Sequence, residues 1–395
     1  MPIHQYNFPT KIHYGPGALE MLPDVLKSAG KSRPLIVTDR GLAMLPPVLE
    51  ASALLKRANL EHTVFSGVWG NPVKSQVSAG VEAFRSHGAD AIVGLGGGAA
   101  LDVAKAIALM AHHPGDLFDY EDEKPGARPI DQPIPYWVAV PTTAGTGSEV
   151  GRSTVVSDDV SHVKKIMFSP RLLAERVLAD PKLTLALPAS VTASTGMDAL
   201  THLVEAYLAK GFQPLCDGIA LQGVRLVSQS LVRAVDYARR IEGGERELLD
   251  DERHLEARGL MLNAAMMGGV AFQKGLGVTH SLAHSLSTVT DMHHGFANGI
   301  AIPYAMKFNQ SAAAERLADL ALLVGASDHS PAGFIRWLEE LKAAIGIPRS
   351  LSEAGVKSEQ LDALVNVAIH DACHPNNPRP VNEADFRGLF QAALG

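Results

Sequence analysis

Short apolar runs alternate with segments of helical periodicity along the first 185 residues. Runs at 34–39, 90–95 and 136–140 are mostly apolar and lead into polar or glycine residues, which is typical of buried parallel strands. Because helical segments separate these runs, the pattern predicts βαβ units and a mostly parallel sheet. The remaining predicted elements are edge strands within 3–14, a strand at 62–66 and helices at 18–29, 47–58, 77–87 and 99–108.

The pattern changes near residue 185, beyond which strand-like runs largely vanish. The sequence therefore predicts an α/β domain over 1–185 and an all-helical domain over 186–395. A last short helix is expected after the proline-rich segment 374–380. The other helices predicted in the second domain are 190–210, 215–236, 246–272, 278–290, 310–325, 331–344 and 358–369.

Composition narrows the class of protein. The 395 residues are 46% hydrophobic, enough for a substantial core, and the formal net charge of −7 comes from mixed charges. This balance argues against nucleic acid or an acidic membrane surface as the main partner. Two distant cysteines predict no disulfide framework, and neither a signal peptide nor an apolar run of about 18 residues is apparent. We therefore expect a cytoplasmic protein with no membrane span.

Histidines and one aspartate recur at helical spacing in the second domain. Asp198 and His202 are four residues apart, so their side chains share one helix face. His280 and His284 repeat the spacing, and the pair 293–294 follows. One carboxylate with several imidazoles is a ligand set for a divalent metal such as iron(II) or zinc, although each pair alone could be an ordinary structural feature.

Glycine and hydroxyl side chains follow two predicted strands of the first domain. Gly96–Gly98 lies between a strand and a helix, where backbone N–H groups and the helix dipole favour a phosphate. A tight βα turn is the alternative explanation. Asp39 ends a strand, as does the acidic residue that binds a ribose hydroxyl in dinucleotide sites, and this favours NAD over NADP. The loop 141–149 carries the hydroxyl residues Thr142, Thr143, Thr146 and Ser148.

These stretches together resemble the iron-containing, or group III, alcohol dehydrogenases over nearly the whole chain. The resemblance implies a Rossmann-like amino-terminal domain that binds NAD and an all-α carboxyl-terminal domain that binds the metal. Ala99 departs from the serine that usually follows the three glycines in this family. The matching segments are 96–105, 141–149, 179–184, 196–202, 280–284 and 294–298.

The resemblance also assigns roles to individual residues. It implies that Asp198, His202, His280 and His294 bind the metal, whereas His284 lies nearby without binding it. We expect His284 to relay a proton, since imidazole titrates near neutrality. The nucleotide contacts implied in the same way are Asp39, Asn71, Gly97, Gly98, Thr142, Thr143, Thr146, Ser148 and Lys164.

The implied reaction is reversible hydride transfer between NAD(H) and a primary alcohol or aldehyde, with Fe²⁺ or Zn²⁺ as the metal. Arg152 and Lys274 resemble features of the branch that handles 4-hydroxybutyrate, and both could hold a carboxylate. The family also implies a homodimer or larger homo-oligomer. Two alternatives remain open at this point: a dehydroquinate-synthase-like lyase and a non-catalytic nucleotide-binding protein.

Overall fold

The computed structural model describes residues 7–122 and 124–395, so residues 3–6 of the predicted edge strands lie outside the described part. The chain forms two compact units. The α/β unit comprises 8–143 and 147–184, and the helical unit comprises 185–395 together with Asn7 and the short segment Ala144–Thr146. That short segment belongs to the predicted nucleotide loop, and its place in the helical unit is not indicated by the sequence.

Six parallel strands form the sheet of the α/β unit. The predicted α/β fold class is therefore confirmed. Strand β3 runs two residues further than the sequence pattern suggests. In their order across the sheet the strands are β1 (Lys11–Tyr14), β8 (Arg176–Ala179), β5 (Tyr136–Pro141), β4 (Ala91–Gly96), β2 (Pro34–Asp39) and β3 (Thr63–Val68).

The helices of this unit follow the predicted order, but their first and last residues differ from those predicted. A 3₁₀ turn over Ala18–Met21 precedes the first α-helix, so the predicted helix at 18–29 is two elements. A separate antiparallel hairpin, β6 (Ser153–Ser157) and β7 (Lys164–Phe168), has no counterpart in the sequence prediction. The helices are α1 (Leu22–Ser28), α2 (Pro46–Arg57), α3 (Lys74–His87) and α4 (Gly98–Met110).

Strand register brings the loops of the α/β unit to one edge of the sheet. Gly96 at the end of β4 lies opposite Pro141 at the end of β5, and the Thr142 N–H donates to the Gly96 carbonyl at 3.0 Å. Gly96 is required here, because a Cβ would lie 2.6 Å from the Cβ of Ala100. Asp39 ends β2 within the same sheet. Ligands of open α/β sheets bind at this carboxyl edge.

The helical unit is organised around α5 (Ala189–Leu208), whose side chains are almost all buried. The eight helices that follow are α6 (Pro214–Glu242), α7 (Glu252–Ala271), α8 (Val278–Thr290), α9 (His294–Asn309), α10 (Ala314–Leu323), α11 (Pro331–Ile345), α12 (Leu361–Ile369) and α13 (Glu383–Leu394). Within the described residues, none of these helices combines the length and apolar character needed to cross a bilayer.

Helix α9 is the main element that the sequence analysis missed. Its residues are buried on most sides and Pro303 lies inside it, so the segment shows no one-sided apolar stripe. The predicted helix at 246–272 is also divided, because a 3₁₀ turn over Arg246–Asp250 precedes α7.

Candidate metal centre and nucleotide loops

Helix α5 contributes two of the predicted metal ligands. Asp198 and His202 are one turn apart and buried, with 2% and 6% of their surfaces exposed. Burial lowers the pKa of His202 to about 4, although Asp198 acts in the opposite direction. His202 is therefore neutral near pH 7, and a neutral imidazole has the lone pair that a metal ion needs.

Helix α8 contributes His280, whose ring is fixed by a buried carboxylate. The His280 Nδ1–H donates to Glu205 Oε2 at 2.7 Å, so its Nε2 is the lone-pair atom. Glu205 also accepts the backbone N–H groups of Gly277 at 2.9 Å and Thr279 at 2.6 Å. Burial opposes ionisation of Glu205, but these hydrogen bonds hold its pKa below the usual value. A carboxylate behind a ligating histidine is the common arrangement in metal sites.

Helix α9 begins at His294, and close packing places this residue beside α5. A Cβ on Gly295 would lie 2.3 Å from the Ser194 carbonyl oxygen, so only glycine allows the two helices this approach. His294 Nε2 lies 3.4 Å from Asp198 Oδ1. One turn later, Asn298 donates from Nδ2 to Asp198 Oδ1 at 2.8 Å.

The four predicted ligands converge at one point of the helical unit. One donor atom from each of Asp198, His202, His280 and His294 lies within 4.8 Å of the others. One hard oxygen and three imidazole nitrogens form a donor set that suits iron(II) or zinc. The fixed tautomer of His280 and the neutral ring of His202 both present lone pairs. The residues therefore fit a divalent cation.

His284 stacks on His294 with ring centroids 5.0 Å apart, but it is not among the four converging residues. Its Nδ1–H donates to Asp371 Oδ2 at 2.8 Å, which leaves Nε2 as a proton acceptor. Burial would raise the pKa of Asp371, but His284, Ser281 and the Cys373 N–H hold it below the ordinary value. Asp371 is thus an anionic partner that orients His284.

Glu205 and Asp371 were not predicted from the sequence. Glu205 lies seven residues after Asp198 and three after His202, so helical spacing could have placed it on the same face of α5. Asp371 follows α12, 87 residues after His284, and no local spacing indicates that contact.

The predicted nucleotide residues of the α/β unit follow its strands. Gly97 is the N-cap of α4 and Gly98 its first residue, so free backbone N–H groups stand at the helix start. Thr142 is buried, and Thr143 lies 3.3 Å from where a Cβ on Gly97 would be. The Asp39 carboxylate accepts the Leu42 N–H at 2.9 Å.

The other predicted nucleotide residues are more dispersed. Asn71 follows β3, Lys164 begins β7, and Thr146 lies in the helical unit. Ser148 Oγ donates to Asp102 Oδ1 at 2.6 Å and accepts from Lys105 Nζ at 2.7 Å. These buried contacts fix Ser148, and sequence reasoning did not assign that role to Asp102 and Lys105.

The two predicted substrate cations differ in their surroundings. Lys274 is buried. Its ammonium donates hydrogen bonds to Asp217 Oδ1 and, at 3.0 Å, to the Tyr207 carbonyl oxygen. Asp217, which Arg316 also contacts, and the Tyr207 carbonyl already bind the Lys274 ammonium, so Lys274 is not retained as a substrate-binding cation. Arg152 lies over the Phe168 ring at 5.2 Å. Burial lowers the pKa of Arg152, and no acidic neighbour among the described residues counteracts this effect.

Comparison with known proteins gives consistent matches along the chain. Residues 9–181 match the family model described as iron-containing alcohol dehydrogenase, and residues 192–394 match the carboxyl-terminal model of the same family. A 1,3-propanediol dehydrogenase of Citrobacter freundii is 36% identical, with 98% of each chain covered. A 4-hydroxybutyrate dehydrogenase of Cupriavidus necator is 34% identical, again with 98% of each chain covered.

A solved structure extends the comparison to the fold. The sulfoacetaldehyde reductase of Bifidobacterium kashiwanohense, determined in complex with NAD⁺, is 27% identical. It superposes with a TM-score of 0.87, and the match covers all of both chains.

Proposed function

This chain belongs to the iron-containing alcohol dehydrogenase family, and we propose that it oxidises a primary alcohol with NAD⁺ at the centre formed by Asp198, His202, His280 and His294. The convergence of these four donors within 4.8 Å carries the proposal. The net reaction converts the alcohol and NAD⁺ to an aldehyde, NADH and a proton, and it is reversible. A scaffolding protein has no use for such a donor set, and the matched relatives are named as dehydrogenases rather than lyases.

The metal would be held by the one carboxylate and three imidazoles of the centre. When bound, a divalent cation supplies Lewis acidity, which makes an alcohol hydroxyl more acidic and an aldehyde carbonyl more electrophilic. Glu205 keeps the His280 ring oriented, and Asn298 keeps the Asp198 carboxylate oriented. Both contacts preorganise the donors before any ligand arrives.

In this proposal His284 accepts and returns the proton of the alcohol. Because Asp371 accepts the Nδ1–H, the Nε2 atom of His284 can accept the proton released by the alcohol. In the reverse direction the same atom returns the proton to the alkoxide that forms as the aldehyde accepts hydride. His284 is half-buried, so its ring can exchange that proton with water.

The nucleotide is proposed to bind at the carboxyl edge of the parallel sheet. The N–H groups at the start of α4 can donate hydrogen bonds to its pyrophosphate, and the Asp39 carboxylate can accept a hydrogen bond from a ribose hydroxyl. The loss of a hydroxyl at Ala99 leaves the backbone donors intact. The solved relative with NAD⁺ supports this choice of cofactor.

Replacing Asp39 with alanine is expected to weaken the preference for NAD over NADP. An aspartate repels the 2′-phosphate of NADP, so its removal should raise the ratio of kcat/KM for NADP to that for NAD by about tenfold or more. Steady-state kinetics with both nucleotides measure the ratio. Asp24→Ala removes an exposed carboxylate of the same unit and should leave the ratio unchanged. An unaltered ratio in Asp39→Ala would remove Asp39 from the ribose site.

We propose an ω-hydroxy acid such as 4-hydroxybutyrate as the substrate. Arg152 has no compensating acid among the described residues, and a guanidinium binds a carboxylate well. One relative is named for 4-hydroxybutyrate, and the solved relative is named for another aldehyde with an acidic group. The propanediol relative shows that neutral diols belong in the same test.

A substrate panel tests this specificity. Arg152→Ala should lower kcat/KM for 4-hydroxybutyrate by about tenfold or more, the usual effect of losing a hydrogen bond to a charged group, while sparing 1-butanol. Arg171→Ala, in the same unit, is the control for loss of an exposed arginine. Equal use of butanol and 4-hydroxybutyrate, unchanged in Arg152→Ala, would contradict the carboxylate-binding role.

The reaction itself is tested with metal-free protein reloaded with iron(II) or with zinc. NADH formation from alcohols should return with the metal, and the panel should include 1,3-propanediol. A fully loaded protein that forms no NADH from any alcohol would overturn the proposal.

The oligomeric state and the location of the protein are also proposals. We propose a homodimer or larger assembly, because within the described residues β1 is the last strand in the sheet order and carries the exposed apolar side chain of Ile12. We also propose a cytoplasmic location, which suits a chain whose two cysteines form no disulfide.

A further inference from the structure

A second group of metal-binding side chains lies beside the four-donor centre. One donor atom each from His284, Asp371 and Cys373 lies within 4.8 Å of the others, and all three residues are partly exposed. His284 belongs to α8, whereas Asp371 and Cys373 belong to the loop after α12. No part of the proposed reaction uses Cys373.

Hydrogen bonds hold this group in place. Asp371 Oδ1 accepts from Ser281 Oγ at 2.7 Å and from the Cys373 N–H at 2.9 Å. Its other oxygen accepts from His284 Nδ1 at 2.8 Å. Ser281 in turn accepts the His374 N–H at 3.1 Å, which anchors the loop to α8. The carboxylate and the cysteine backbone are therefore positioned by contacts that do not involve the thiol.

The donor set differs chemically from that of the first centre. Imidazole nitrogen, carboxylate oxygen and thiolate sulfur are the three ligand types that zinc accepts, at about 2.0–2.1, 2.0–2.2 and 2.3 Å. Ligand atoms on one tetrahedral ion are then about 3.5 Å apart. Separations of up to 4.8 Å must therefore close by about 1.3 Å at most, whereas the 2.8 Å between His284 Nδ1 and Asp371 Oδ2 must open by about 0.7 Å. A cation would take the place of the proton between His284 Nδ1 and Asp371 Oδ2, and that proton would move through water to Nε2, so the ring stays neutral.

We propose that His284, Asp371 and Cys373 form a second, thiolate-containing site for zinc or a similar divalent ion. Binding converts the Cys373 thiol to thiolate with release of one proton to solvent, and water completes the coordination. The stacked rings of His284 and His294 place the two sites close together, so repulsion between two dications makes the second ion bind more weakly. The second site therefore fills after the first.

Occupation of this site should inhibit the enzyme. This consequence rests on the proposed function, in which His284 receives the proton of the alcohol. An ion on His284 removes its freedom to take up and release that proton. Excess zinc should then inhibit the iron-loaded enzyme, and Cys373→Ser should raise the half-inhibitory zinc concentration by at least about tenfold. Equal zinc sensitivity of both proteins would refute the inhibitory role.

Cobalt(II) titration of metal-free protein tests the site without any turnover. The first centre has no sulfur ligand, so a thiolate-to-cobalt charge-transfer band in the near ultraviolet reports the second site alone. We expect the band to appear with the second equivalent of cobalt. It should be absent in Cys373→Ser and in Cys373→Ala.

Two further variants serve as controls. Cys216 is buried and donates to Gln213, so Cys216→Ser should retain the band. His280→Ala damages the first centre and should also retain it, which separates failure of this site from failure of the proposed function. Absence of the band at two equivalents, or a band that persists in both Cys373 variants, would overturn the second site.

Discussion

Replacing His280 with alanine is expected to lower kcat/KM for alcohol oxidation by about a thousandfold or more, while nucleotide binding stays unchanged. His280 supplies one of four donors in a buried site, and Lewis acid stabilisation of the kind lost with the metal is worth several kcal/mol. The predicted nucleotide residues at the sheet edge belong to the other unit of the chain. Steady-state kinetics measure kcat/KM, metal analysis measures the expected loss of metal, and calorimetric titration with NAD⁺ measures nucleotide binding.

His329→Ala provides the matched control, because His329 is an exposed histidine of the same helical unit. It should retain full activity and full metal content. If His280→Ala keeps its turnover, His280 is not a ligand. If it loses NAD⁺ binding together with activity, the loss reflects damage to the fold rather than loss of the metal.

Replacing Glu205 with glutamine should lower metal affinity by roughly 10–100-fold, the usual effect of removing a partner that orients a ligand. The four N–H groups around Glu205 all require acceptors, and a glutamine would place an NH₂ donor among them. His280 would then lose its fixed tautomer. Competition with a chelator measures the affinity directly, and the thermal shift on adding metal gives a second readout that is independent of activity.

Asp180→Asn is the matched control for this substitution. Asp180 is also buried and accepts the backbone N–H groups of Gly17, Leu19 and Lys182, but it orients no histidine. Both variants should lose stability, because each leaves buried donors without an acceptor. Only Glu205→Gln should lose metal affinity. Equal metal affinity in the two variants would reduce Glu205 to a structural role.

Much of the fold could be predicted because its pattern is local. The buried strands β2, β4 and β5 are short apolar runs, and the helices between them have the period of one buried face. Helix α9 and the β6–β7 hairpin were missed for different reasons. Helix α9 is buried on most sides and contains a proline, whereas the hairpin lies outside the six-stranded sheet and breaks the βα alternation.

The candidate metal centre was predictable in part for the same reason. Asp198 and His202 are neighbours on one helix, so their spacing already implies a shared face. Their meeting with His280 and His294 depends on packing, in particular on the glycine after His294. The contact between His284 and Asp371 joins elements 87 residues apart, and no local pattern could indicate it. The burial of Lys274 against Asp217 was hidden from the sequence in the same way.

One divalent ion is expected to bind where α5, α8 and α9 meet. Anomalous diffraction at the iron absorption edge, from crystals of protein reloaded with one equivalent of iron(II), tests it most directly. We expect a single strong peak within bonding distance of Asp198, His202, His280 and His294. A peak elsewhere, or no peak in protein that oxidises alcohols, would contradict it.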